Sequence, residues 1–142
     1  MRHAVKILHL LIVLNLSSCA GNQAFINTCY KKPSMLAILE RLQKENIING
    51  EEFEFWIDYR ENSRSIICPI DVVPFASTGN NGIHFGFLTD FGRIKKLDEA
   101  PIVCIAPTFD PPVHLVARNL YDFMSLVCTN ENATLFAESH EN

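Results

Sequence analysis

Between Ser65 and Ala117 the chain is written in short β-rich runs, each closed by turn residues, and this stretch limits the possible folds most. The runs are Ser65–Cys68, Val72–Phe75, Ile83–Thr89, Ile102–Ala106 and Val113–Ala117. They are separated by Ser77-Thr78-Gly79-Asn80-Asn81-Gly82, by Asp90-Phe91-Gly92 and by Phe109-Asp110-Pro111-Pro112. Asn and Gly tolerate positive φ, so the first of these connections predicts a tight hairpin. Successive strands joined by turns read as a meander, and the expectation is an antiparallel sheet of about five strands.

Helical patterns flank this region. From Ser34, the residues Met35, Ile38, Leu39 and Leu42 recur at i, i+3, i+4, i+7, while Glu40, Arg41, Lys44 and Glu45 cover the opposite side. Asn49-Gly50 ends or turns this segment. Glu51–Tyr59 satisfies two periods at once. Phe53, Trp56, Ile57 and Arg60 fit a helix; Phe53, Phe55, Ile57 and Tyr59 fit a strand. The acidic start favours a helix, because carboxylates stabilise a helix N-terminus, and that reading buries Trp56. A last helix is expected from Asn119 to about Cys128, capped by Asn119, with Leu120, Phe123, Met124 and Val127 facing inward. The fold class is α+β: N-terminal helices, an antiparallel sheet of about five strands and a C-terminal helix.

The N-terminus carries an address. Arg2, His3 and Lys6 precede a largely apolar run to Leu16, followed at once by Ser17-Ser18-Cys19. A positive start, a short apolar stretch and small residues before a cleavage point are the parts of an export signal, and the run is too short to span a bilayer, which takes about 20 residues. Leu16-Ser17-Ser18-Cys19 resembles the bacterial lipobox, which implies lipidation of Cys19 and a membrane-anchored protein. The organisation expected is a signal peptide over 1–18, a tether over 19–33, one domain over 34–128 and a fraying polar tail over 129–142. A start at Met35 gives a cytoplasmic alternative.

Charge excludes one class of partner. Without Arg2 and Lys6, ten Lys and Arg stand against 16 Asp and Glu, a net of −6 with neutral histidines. Phosphate backbones repel such a domain, so nucleic acid is not an expected partner, and a basic protein is. Beyond Cys19, the cysteines are Cys29, Cys68, Cys104 and Cys128. Four cysteines allow three pairings that sequence cannot separate. Cys68 and Cys104 lie in apolar runs and read as buried thiols. With no C-x-x-C or His-rich spacing, neither a metal nor a cofactor is expected.

The densest segment runs from Phe75 to Asp90. Ile83, Phe85 and Phe87 alternate there with His84, Gly86 and Leu88. A mid-strand glycine admits the close approach of a backbone or ligand, so Asn80, Asn81, His84 and Asp90 are the candidate partner-binding residues. The alternative is a structural hairpin with a satisfied His84. Asp71-Val72-Val73-Pro74-Phe75, the turn at 78–82, the strand Ile83–Leu88 and the closing Ala117–Met124 resemble the SUKH superfamily. That resemblance implies helices joined to a strand meander and a final helix. It also implies a non-catalytic immunity protein that neutralises a toxin by protein–protein contact. The chain has Asn80 and Asn81 where that family often has Asp.

Catalytic readings are weaker. Asp90-Phe91-Gly92 copies three letters of the kinase magnesium motif, but the chain is too short for a kinase. Cys68 or Cys104 with His84 or His114 makes a nucleophile–base pair only in an accessible, electropositive setting. A competing function is an anchored lipoprotein that binds an envelope component or small ligand, which requires an apolar pocket of several hundred Å3.

Overall fold

The computed structural model describes residues 30–58, 68–79 and 82–130. The expected signal peptide, Cys19, Cys29, Asn80, Asn81, the run at 65–67 and the tail from 131 lie outside the described residues.

The α+β arrangement is as expected. Helix α1 spans Ser34–Lys44, a single-turn helix α2 spans Gly50–Phe53, and five strands follow: β1 Trp56–Ile57, β2 Val72–Ser77, β3 His84–Leu88, β4 Ile102–Ile105 and β5 Val113–Ala117. Helix α3, Leu120–Asn130, closes the fold. The sheet is an antiparallel meander in the order β1-β2-β3-β4-β5. The short loop between β2 and β3 makes those two strands turn straight back on each other.

The two faces of the sheet differ. Strand β3 sends Phe85 and Phe87 to one side and His84 and Gly86 to the other, in line with the period of two. Five phenylalanines, Phe55, Phe75, Phe85, Phe87 and Phe123, make the core of the first face. Their rings meet edge-on or tilted, with centroids 4.5 Å apart for Phe75–Phe87 and 4.9 Å for Phe85–Phe123, the spacing that suits ring quadrupoles. Helix α1 adds Leu36, Leu39 and Leu42 to this core, and α3 adds Leu120, Phe123, Met124 and Val127. The opposite face holds a smaller aliphatic cluster of Val72, Val103 and Ile105.

A bulge between Pro74 and Ala76 explains how a proline sits in an inner strand. It turns both Phe75 and Ala76 to the aromatic core and relieves the ladder where Pro74 has no N–H to give.

Several expectations need correction. In α1 the deepest residues are Leu36, Leu39 and Leu42, and Met35 and Ile38 pack at the edge of the core. The helix packs one step round from the stripe that the sequence pattern picked out. The expected helix over 51–59 lasts only to Phe53. Glu54 adopts a left-handed conformation with φ 46°, and Trp56–Ile57 pair with Ser77 and Ala76. The deciding contacts come from α1: Gln43 donates Nε2–H to Phe55 O at 3.0 Å and accepts from Ile57 N at 2.8 Å. Its amide caps the free edge of β1 in place of a further strand. Trp56 is half-buried, its ring laid against Gly50 and Gly79 and not sunk in the core. Cys68 is half-buried and lies outside any strand. The cap expected at α3 is present, with Asn119 Oδ1 accepting from Asp122 N at 2.9 Å.

Candidate functional site

The hairpin of β2 and β3 carries the described candidate residues, His84 and Asp90, but separates them. His84 begins β3, and Asp90 lies six residues on, beyond its far end. At about 3.3 Å per residue the two are about 20 Å apart. No single surface of ordinary loop size joins them.

At the first end, polar groups turn inward. His84 is only 3% exposed, and Thr78 is 1%. The Nδ1–H of His84 donates to Gly82 O at 2.7 Å, since a carbonyl can only accept. That fixes the tautomer and leaves Nε2 as a buried acceptor without a protein hydrogen bond. Burial lowers the pKa of His84, an effect that the bond to Gly82 partly offsets. Thr78 donates its backbone N–H to Ile83 O at 3.1 Å, closing the loop. Gly79 and Gly82 hold φ of 75° and 68°, which L side chains resist. This is the structural hairpin, with His84 as its lock.

Gly86 does not leave an opening for a ligand. The Val72 side chain occupies the space a β-carbon would need there, and Val73 O would lie 3.2 Å from that atom. The glycine serves close packing of β2 on β3.

At the second end, apolar groups turn outward. Thr89, Asp90, Phe91 and Gly92 form a turn in which Gly92 N donates to Thr89 O at 3.1 Å. Asp90, Phe91 and Gly92 hold φ of 48°, 53° and 80°, three left-handed residues in succession. Phe91 is 78% exposed. Asp90 takes an ion pair from Arg93 at 3.3 Å, with both side chains in solvent, an arrangement that contributes little. The neighbouring turn, Pro69 to Val72, presents Ile70 at 93% exposure. Sequence reading missed both residues. Gly92 marks positive φ, but nothing local indicates that a phenylalanine shares it.

The cysteines are placed for packing. Cys68, Cys104 and Cys128 carry thiols, with no disulfide among the described residues. Burial pushes the Cys104 thiol from its ordinary 9.0 up to about 12, and raises that of Cys128. A protonated thiol inside a sheet is a poor nucleophile. An apolar cavity among Leu39, Phe53, Phe55, Met124, Val127 and Cys128 has a volume of about 10 Å3, the space of one water. It is far below the several hundred Å3 that a small ligand needs. Among the described residues, no group of three His, Cys, Asp or Glu side chains is placed to hold a metal, and no helix is long and apolar enough to cross a membrane.

At the corner between α1 and α2, Glu45, Glu51 and Glu52 are exposed together with Lys44 and the half-exposed Ile47, and Arg41 lies 3.9 Å from Glu45. Asn49 shapes this corner by accepting from Glu51 N at 3.0 Å. Compared with models of protein families, with curated proteins and with solved structures, the chain matches none.

Proposed function

We propose that this chain is a non-catalytic binding protein, held at a membrane through a lipid on Cys19, that acts by protein–protein contact in the manner of an immunity protein against a basic toxin domain. One observation carries the reading: the described groups best suited to catalysis face inward, and the surface is left to recognition. Cys104 and Cys128 are buried and protonated, and His84 is locked to Gly82. The exposed side chains include the carboxylates Glu45, Glu51 and Glu52 at the α1–α2 corner and the turn residues Ile70 and Phe91, alongside the cations Lys44, Arg93, Lys95, Lys96 and Arg118. An acidic surface steers a basic partner by complementary potential.

The corner of Glu51 and Glu52 is the favoured contact in place of His84 and Asp90, because its carboxylates are exposed whereas His84 is buried and lies a strand's length from Asp90. Residues 30–34 pack on the domain, with Lys32 bridging to Glu40 at 2.8 Å and Ala37 N bonding to Pro33 O. Those contacts favour a start upstream of Met35.

The test is capture of basic proteins encoded next to this gene by the full chain, at low and high salt. Capture that weakens with salt and is lost in Glu51→Lys/Glu52→Lys supports the reading. Capture indifferent to both substitutions removes the acidic corner, and failure to bind any neighbouring product removes the immunity reading. Palmitate-analogue labelling of the wild type and Cys19→Ala tests the anchor separately.

A further inference from the structure

We propose that Ile70 and Phe91 form a paired apolar tip that dips into the lipid bilayer and sets the domain's orientation there, an inference that rests on the anchored reading above. The two side chains stand on adjacent turns. Thr89 ties those turns together, giving both its N–H and its hydroxyl to Asp71 O at 2.8 and 2.7 Å. Ile70 and Phe91 lie one and two residues away from this junction. Both project from turn tips, at 93% and 78% exposure, so they suit penetration of a soft interface better than the lining of a groove.

The backbone holds Phe91 outward at a cost. Left-handed φ at a bulky residue is disfavoured, and such conformations gather at functional positions. A glycine at 91 would build the same turn without strain, so folding alone does not call for an aromatic ring there.

The place where the chain enters the domain identifies the occupant. Tyr30, the first described residue, lies against this same turn: its hydroxyl is 3.5 Å from where a β-carbon on Gly92 would sit. A lipid on Cys19, eleven residues before Tyr30, allows at most about 40 Å of chain between bilayer and domain. The tether therefore joins the domain beside the tip. Charge plays a small part. Arg93 is paired with Asp90 and Lys96 with Glu99, while the exposed Lys95 stands beside the turn with its Nζ 3.8 Å from where a β-carbon on Gly92 would sit, so the apolar pair drives insertion and anionic lipid adds a little to it.

Trp56 supplies a built-in control. It pairs with Ser77 at the far end of β2, whereas Val72, beside the tip, pairs with Leu88. The experiment uses the full lipidated chain in phosphatidylcholine vesicles, with and without acyl-brominated phosphatidylcholine, and compares the wild type with Phe91→Trp. Flotation reads the anchor; bromine quenching of tryptophan emission reads the tip. The expected result is flotation of both proteins, strong quenching only in Phe91→Trp, weaker quenching when Ile70→Ser is added, and at most a small increase on including phosphatidylglycerol. Flotation without quenching overturns the tip and leaves the anchor standing, as for a tip that meets a protein partner. Wild-type quenching equal to that of Phe91→Trp overturns the orientation. Absence of flotation overturns the anchor and the tip with it. Equal melting temperatures of the two proteins confirm that the substitution left the fold intact.

Discussion

The two ends of the β2–β3 hairpin use similar turn-forming residues to opposite effect. At the loop before β3, Thr78 and His84 are polar and buried, and their hydrogen bonds hold the backbone closed. At the turn after β3, Phe91 is apolar and exposed, on a backbone that a phenylalanine resists. Hydropathy therefore reads both ends backwards. Turn backbones contain donors and acceptors that the ladder does not satisfy, so a buried turn must recruit polar side chains. A solvated turn has no such need, and its side chains are left available for other contacts.

The first prediction measures the core that both ends share. Phe85, fully buried and touching Phe55 and Phe123, lies next to His84. Phe85→Ala should cost about 3–5 kcal/mol in denaturant unfolding. A cost near zero would mean that the aromatic cluster does not hold the hairpin.

A smaller effect should appear at the closed end. His84→Ala removes a buried ring and leaves Gly82 O without its donor, for about 2–4 kcal/mol. Acid should act on the same residue. Burial lowers the His84 pKa in the fold, so the unfolded chain binds the proton more readily. The stabilisation is complete above the ordinary His value of 6.5 and is lost as pH falls from there toward the lower folded value. Thermal melts across this window should show the loss, and His84→Gln should reduce it. A His84→Ala variant as stable as the wild type would abolish the contrast between the two ends.

The smallest effect carries the opposite sign. Phe91→Gly should stabilise the domain by about 1 kcal/mol, because glycine enters left-handed φ without the clash. A destabilised Phe91→Gly variant would show that Phe91 packs on the domain and would end its comparison with His84.

Much of the fold was legible because it follows from local chemistry. Strand β5 appears where its β-rich run after a stiff turn placed it, and α3 starts under the Asn119 cap that the sequence announces. The segment at 51–57 was not legible. Its aromatic spacing fits both a helix and a strand, and Gln43 of α1, with Ser77 and Ala76 of β2, decides between them from a distance in sequence. The candidate site fared worse for a similar reason. His84 and Asp90 are close in sequence, but an extended strand carries neighbours apart instead of gathering them.

By itself the sequence determined the α+β class, the strand meander, the cap of α3 and the thiol character of Cys104, because periodicity, turn residues and capping act over a few residues. Only the tertiary structure decided which residues the domain consumes and which it presents. Gly86 makes room for Val72, His84 locks a loop, and Ile70 and Phe91 stand in solvent. Exposure depends on which backbone groups and side chains arrive from elsewhere in the chain, and no local pattern contains that information.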